Sequence, residues 1–305
     1  MGFRLPARLY LTTAYRYVDT DRWLDNIDPD EALPESEDNI GSVELRWSGL
    51  DYLTLRAGYE RLHRSTEWRT KESHTDPADA AQRYSYAGKD QDLFKIAADI
   101  YPTDTLNFTV EYRYRKNDYN DKYEPLDIVI GMESDSRHEL GLNVDYALGT
   151  RAKLFGYFDY ARITFKQNQL YLSGTYPDNF WRAEQTEDTY GFGAGAEVTA
   201  IPNRLTLSVI GYYENSDGEV DYGFRNPSFI YSALGIDPDA RVDIGNWDDY
   251  VRVGVMFKAT YILTRSLSLI AGYAYEDFDY DDARLDDYRY VTDGTDSNAA
   301  FLTAI

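Results

Sequence analysis

The stretch TLNFTVEYRYR, Thr105 to Arg115, alternates without a slip. Leu106, Phe108, Val110, Tyr112 and Tyr114 fall on one parity; Asn107, Thr109, Glu111, Arg113 and Arg115 fall on the other. Successive side chains leave opposite faces of a pleated strand, so a period of two marks a β-strand with one apolar and one charged face. Two surroundings suit such a strand. Its apolar face packs into a protein core while the charges meet water, or its apolar face meets lipid while the charges line an interior.

The 305 residues carry a formal net charge of −22, no cysteine and 29 tyrosines. The acidity argues against nucleic acid as a partner, because a phosphate backbone recruits a basic surface. Without cysteine the chain has no disulfide, no Cys-ligated zinc and no haem-attachment motif of its own. Tyrosine suits both strands and the boundary between water and apolar surroundings. The chain has no run of apolar residues approaching the ~18 of a transmembrane helix, so none is expected. The opening MGFRLPARLY enters strand-like sequence at once, without the basic start and apolar core of a signal peptide. NAAFLTAI at the other end reads as the start of a strand, and the expectation is a mature form or a segment of an exported protein.

Working outward from Thr105, one unit recurs: strand, tight turn, strand, long polar loop. The tight turns are WSGLD (Trp47–Asp51), YPTDT (Tyr101–Thr105), ALGTR (Ala147–Arg151), AIPNR (Ala200–Arg204) and YILTRS (Tyr261–Ser266). Most carry the Gly, Pro, Asn or Asp that hairpin turns need. Between the hairpins lie polar stretches of about 15 to 30 residues, too long for ordinary connections in a compact soluble domain. They include DTDRWLDNIDPDEALPESEDN after Val18, KNDYNDKYEPLDIVIGMESD from Lys116 and KQNQLYLSGTYPDNFWRAEQTED from Lys166. With a first strand over Arg8–Val18 and a last one beginning near Ala299, the pattern predicts about twelve strands. No domain boundary is visible, and residues 1–305 read as a single β-barrel domain or as part of a larger barrel.

Every strand obeys the parity of the first. The apolar positions include Leu9, Leu11 and Tyr15; Val43, Leu45 and Trp47; Phe94, Ile96 and Ile100; Leu140, Leu142 and Val144; Val251, Val253 and Phe257. None of these positions is charged, as a lipid-facing belt requires, since Lys or Arg at the bilayer midplane costs about 2–4 kcal/mol. The opposite parity holds Glu44, Arg46, Arg56, Glu60, Lys95, Asp99, Glu111, Arg113, Arg115, Glu139, Asp145, Lys153, Asp159, Glu197, Arg252 and Lys258. Glycines 58, 141, 191, 193, 195, 254 and 272 share that parity, and glycine inside a strand marks close approach of another group. These residues are the candidate lumen- or partner-facing set.

A soluble antiparallel sandwich produces the same alternation. Three features favour the barrel instead. The strands run near the 9–11 residues that cross a bilayer with tilt. Short turns alternate strictly with long loops, as in outer-membrane barrels, whose short ends are periplasmic. Aromatics gather toward the loop end, at Tyr15 and Tyr17, Tyr112 and Tyr114, Tyr212 and Tyr213, and Tyr273 and Tyr275, where an interfacial girdle belongs. The fold class is therefore all-β: an antiparallel up-and-down transmembrane β-barrel with short periplasmic turns and long extracellular loops, in the bacterial outer membrane.

Catalytic and metal chemistry find little support. His63, His74 and His138 are few and scattered, and read as loop-surface residues. Asp277, Asp279 and Asp281 alternate, but the glycine that turns a calcium loop is missing, so solvated charge is the better reading. The expectation is a protein without enzymatic activity or cofactor of its own. A charged, glycine-dotted face lines a water-filled pore or sheathes something inserted, and with both signs of charge it has no evident ion selectivity.

Hairpins such as AIPNRLTLSVIGYYENSDG (200–218) and YILTRSLSLIAGYAYEDFDYDD (261–282) resemble the MtrB/PioB family of decahaem-associated outer-membrane proteins. The opening LPARLYLTTAYRYVDTD (5–21) and the stretch DYRYVTDGTDSNAAFLTAI (287–305) share that resemblance. Family barrels are longer, and the resemblance is to the later part of one. It implies a barrel that encloses a periplasmic multihaem c-type cytochrome, holds it against a surface cytochrome, and does no redox chemistry itself. The haems would belong to the partner. Outside the resemblance, the residues also suit a general diffusion porin or a soluble or surface-attached β-sandwich used for adhesion.

Overall fold

The computed structural model describes residues 1–21, 35–67, 87–120, 131–173, 176–226, 241–281 and 295–304. They form β1 (Gly2–Leu5), β2 (Leu9–Thr20), β3 (Glu35–Leu50), β4 (Leu53–Glu67), β5 (Lys89–Thr103), β6 (Leu106–Tyr119) and β7 (Gly131–Leu148). There follow β8 (Ala152–Ser173), β9 (Tyr176–Ile201), β10 (Leu205–Asn226), β11 (Arg241–Ile244), β12 (Asp249–Thr264), β13 (Leu267–Asp281) and β14 (Thr295–Ala304). No helix occurs among the described residues. Twelve of the strands are long, in line with the hairpin repeat; β1 and β11 are four-residue additions that pair with β2 and β10.

Sequence order is sheet order. Each long strand pairs antiparallel with the next, up and down, in one sheet. The order begins at β1 and ends at β14, and no ladder joins those two ends among the described residues, so the sheet is open. Tight turns join the strands at one end, and left-handed backbone in two of the long hairpins falls on Gly149 at φ 67° and Asn203 at φ 59°. Those are residue types that tolerate this region, which is why ALGTR and AIPNR make compact turns.

Strands reach further than hydropathy suggests. Most of Lys166–Asp188, expected as a loop, is the top of the β8–β9 hairpin, in strands of 22 and 26 residues. The belt parity turns polar there, so the apolar row ends, but cross-strand ion pairs continue the ladder: Arg162 to Asp188 at 3.3 Å and Lys166 to Glu184 at 3.0 Å. β10 likewise extends to Asn226, β3 begins at Glu35, β6 runs to Tyr119 and β14 begins at Thr295. The loop expectations at 22–34, 68–86, 121–130, 227–240 and 282–294, with His74, lie outside the described residues.

Register fixes the faces, because directly paired residues project to the same side. Leu11, Leu45, Ala57, Ile96, Tyr112, Leu140, Tyr160 and Tyr190 form one continuous row across eight strands. The next row toward the turns, Leu9, Trp47, Leu55, Ala98, Val110, Leu142, Phe158 and Phe192, is equally apolar, and the next row toward the loops stays uncharged from Thr13 through Tyr114 before reaching His138, Arg162 and Asp188. No other described element packs on this face: Ile96 is 60% exposed, Phe192 52% and Phe257 49%. A sandwich would cover these residues with a second sheet, and the described strands all belong to one sheet, so the soluble-sandwich alternative fails on architecture. The belt spans roughly 20–27 Å along the strands at ~3.4 Å per residue, close to the ~25 Å apolar band of outer-membrane barrels.

Side chains buried by their neighbours lie chiefly on the opposite face, toward the loop end: Asp38, Ile40, Leu62, Leu93, Asn117, Tyr119 and Asp135. Arg64 holds Asp38 by a two-pronged contact, Nε to Oδ1 at 2.7 Å and an Nη to Oδ2 at 2.8 Å. Asn117 and Tyr119 both donate to Asp135, at 2.8–2.9 Å. The sheet curls toward this face. Tyr212 of β10 reaches across β12 to donate to Glu276 of β13 at 2.8 Å.

Candidate functional site: the charged concave face

All of the expected lumen-facing residues stand on the face opposite the apolar belt. One row runs Glu44, Gly58, Lys95, Arg113, Glu139; the next runs Arg46, Arg56, Ala97, Glu111, Gly141, Asp159, Gly191, Glu214, Arg252. Several are drawn together. Arg56 bridges to Asp99 at 3.1 Å, and the Thr109 hydroxyl donates to the same carboxylate at 3.1 Å. Arg113 joins Glu111 at 2.8 Å and Glu139 at 3.5 Å; Lys153 joins Asp145 at 2.6 Å; Arg252 joins Glu276 at 2.6 Å. Glu44, Arg46, Glu60, Lys95, Arg115, Glu197 and Lys258 form no ion pair among the described residues. An open cavity of about 460 Å³ is lined from five successive strands, by Glu111, Arg113, Glu139, Tyr157, Asp159 and Glu214 among others.

The glycines of this face have a specific use. Tyr157, Gly193, Tyr212 and Gly254 occupy one row on β8, β9, β10 and β12. The Tyr157 ring lies over Gly193 and the Tyr212 ring over Gly254, so closely that a Cβ at either glycine would collide with the ring. Phe155 covers Gly195 in the same way. Glycine thus lets large rings lie flat along the wall instead of projecting across the interior. Tyr212 is therefore a wall residue and not part of the lipid-side girdle expected for it; its neighbour Tyr213 keeps that role, stacked on Phe192 at 5.2 Å.

On the belt side the girdle is built as expected at Tyr15, Tyr112, Tyr114 and Tyr273, with Tyr59, Tyr160 and Tyr190 completing it. Immediately loop-ward, the same face turns charged: Arg61, His63, Asp90, Asp92, Lys116, Asp118, Arg162 and Asp188. His63 meets Asp90 at 2.9 Å and His138 meets the Tyr112 hydroxyl at 2.8 Å, so both sit on strands above the belt, not in loops. Asp277, Asp279 and Asp281 are strung along β13 and do not converge. A second aromatic row at the turn end, with Trp47, Tyr146 and Tyr261 on the belt face, escaped sequence reasoning, although Trp and Tyr beside each tight turn were its signal. Arg137, Tyr157 and Tyr250 on the concave face were missed as well.

An up-and-down sheet with an uncharged belt between two aromatic girdles, and a charged face turned inward, defines the wall of a transmembrane β-barrel. The chain belongs to the MtrB/PioB family: residues 1–303 match the family described as "Putative outer membrane beta-barrel porin, MtrB/PioB". It is accordingly a porin-like protein of the bacterial outer membrane. No curated protein matches it in sequence. Among solved structures it is similar to the ferric yersiniabactin uptake receptor FyuA from Yersinia pestis, with TM-score 0.56 and 11% identity, covering 97% of this chain and 53% of the receptor. The siderophore receptor PirA from Acinetobacter baumannii gives TM-score 0.61 at 12% identity, over 96% of this chain and 40% of the receptor. The ferric enterobactin receptor PfeA from Pseudomonas aeruginosa gives 0.60 at 11%, over 96% and 42%. The chain thus spans about half or less of these receptors, and the likeness is one of fold.

Proposed function

We propose that this chain forms the wall of an outer-membrane sheath that encloses a periplasmic multihaem c-type cytochrome and holds it toward a surface cytochrome. Electrons would cross the membrane through the partner's haems, and the barrel would insulate and position them. The observation that carries this reading is the smooth concave wall. Tyr157 and Tyr212 lie flat on Gly193 and Gly254, and several charged side chains pair along the wall, as Arg113 does with Glu111 and Glu139. A bore lined in this way suits a rigid inserted body. Charges of both signs on that face supply polar contacts for a protein surface without expelling either sign. The chain has no cysteine, so thioether-linked haems would be carried by the partner.

In lipid an unpaired strand edge is costly, so the working barrel pairs the two open edges, with each other or with further strands. Purification from native outer membranes tests the sheath reading. A haem-staining cytochrome is expected to co-purify in a fixed ratio, and its absence from the intact complex contradicts the proposal. The second reading, a general diffusion porin, is favoured by the description of the family. Liposomes bearing the chain alone decide between them: rapid leakage of small solutes, with no haem protein recovered from native membranes, selects the porin.

A further inference from the structure

Beyond its role as a wall, the concave face carries a concentration of positive charge that the ion pairs do not neutralise. Lys95 and Arg113 are directly opposite one another on β5 and β6, and Arg115 and Arg137 are directly opposite on β6 and β7, one row loop-ward. Like charges facing each other across a ladder destabilise it. These four residues, with Gln91, Leu93 and Glu139, line an open pocket of about 300 Å³. Glu139 is the one acid among its described lining residues, and it is already engaged by Arg137 at 2.9 Å and by Arg113 at 3.5 Å.

Arg113 also joins Glu111 at 2.8 Å, and several of the remaining donors lack acceptors. The Nε atoms of Arg113, Arg115 and Arg137 are all buried without a hydrogen-bond partner. Neither Lys95 nor the Arg115 side chain has an ion pair or hydrogen bond among the described residues. Buried N–H groups are normally satisfied, and a guanidinium left without an acceptor is costly. The Arg115 guanidinium, the Lys95 ammonium and the unpartnered Nε atoms of Arg113 and Arg137 converge on one pocket and match the oxygens of a carboxylate or a phosphate, which guanidinium binds in a two-pronged manner.

We propose that Lys95, Arg113, Arg115 and Arg137 form a binding site for a multi-oxygen anion entering from the interior. That chemistry has two sources: a small free oxyanion in the lumen, or carboxylates presented by an enclosed polypeptide. Occupancy would neutralise the two like-charged pairs and supply acceptors to the buried Nε atoms. The site stands on this geometry and not on the cytochrome reading, and either a porin or a sheath would contain it.

The test is equilibrium dialysis of radiolabelled inorganic phosphate against the full chain folded in detergent micelles, with ionic strength held constant by chloride. Wild type is expected to bind phosphate saturably, and Lys95→Gln/Arg115→Gln to weaken binding by at least about tenfold, the loss of roughly one charge-assisted hydrogen bond. Lys116→Gln, on the belt face beside the site, is expected to leave binding unchanged. Heat-modifiable gel mobility verifies folding, and Arg115→Gln alone, expected to lose about threefold, keeps the test decisive if the double variant does not fold. Competition by a ten-residue glutamate peptide separates the sources: displacement of phosphate assigns the site to polypeptide carboxylates, and no displacement assigns it to the free anion. Non-saturable uptake by the wild type, or equal affinity in the Arg115 variants, overturns the proposal.

Discussion

The Tyr59 hydroxyl donates to Asp92 Oδ1 at 2.5 Å, and Asp92 lies diagonally loop-ward of it, two residues beyond the partner Phe94. The same diagonal recurs on three other strand pairs that join at the loop end: Tyr15 to Asn39 at 2.6 Å, Tyr112 with His138 at 2.8 Å and Tyr160 to Asp188 at 2.5 Å. Each ring sits at the top of the apolar belt, and each hydroxyl points to the first polar row above it. A Tyr side chain spans such a boundary because its ring is apolar and its tip is not. The repeated diagonal therefore marks where lipid gives way to water.

A pH dependence follows from Asp92. The Tyr59 hydroxyl above all, with the Arg61 guanidinium adding to it, holds its carboxyl below the usual range and outweighs the desolvation that opposes them. A carboxylate depressed in the folded state contributes stability that is present above its unfolded pKa and lost as pH falls through the folded value. Asp92→Asn is expected to be less stable than wild type at pH 6, and the difference to vanish near pH 2. Urea unfolding from vesicles across that range reads both, and a difference that persists at pH 2 contradicts the assignment.

The two faces predict opposite tolerance of charge at one depth. Leu142 lies mid-belt between Tyr146 at the turn end and His138 at the loop end, and Asn143 is its neighbour on the concave face. Leu142→Arg is expected to cost about 2–4 kcal/mol of folding free energy in bilayers, and Asn143→Arg less than about 1 kcal/mol. Equal penalties would mean that the faces do not differ in surroundings.

Two neighbouring glycines should respond differently. The three atoms nearest a Cβ at Gly193 all belong to the Tyr157 side chain, which can swing away into the interior. A Cβ at Gly195 meets the Val209 backbone carbonyl as well as the Phe155 ring. Gly193→Ala is expected to cost about 1 kcal/mol and to be rescued by Tyr157→Ala, a coupling that a double-mutant cycle measures. Gly195→Ala is expected to cost more, and Phe155→Ala should not rescue it.

Much of this architecture is legible in the sequence for a geometric reason. A pleated strand has an intrinsic period of two, so Leu106 to Arg115 declares its faces without a partner, and each tight turn announces its hairpin. What escaped depends on pairing. Above Tyr160 and Tyr190 the belt parity turns polar, with Arg162, Thr164 and Lys166 facing Asp188, Thr186 and Glu184, so the apolar row that marks the strands lower down is lost, and the pairing between the strands reveals the ladder. Tyr212 and Tyr213 were expected in one girdle, yet adjacent residues in a strand must face opposite ways. The concave cationic pocket was out of reach altogether. Lys95, Arg113 and Arg115 were named singly as interior residues, but their confrontation with one another and with Arg137 is a property of the register.

The central claim is that the apolar face of this sheet meets lipid and the charged face an interior. The chain has no cysteine, so a spin label can be placed at single engineered sites along β6 without background. In proteoliposomes, labels at Phe108 and Val110 should be quenched by oxygen and shielded from a water-soluble nickel complex, with Thr109 and Glu111 showing the reverse. Period-two alternation in that phase is the predicted result. The opposite phase, or accessibility that does not alternate, would contradict the account.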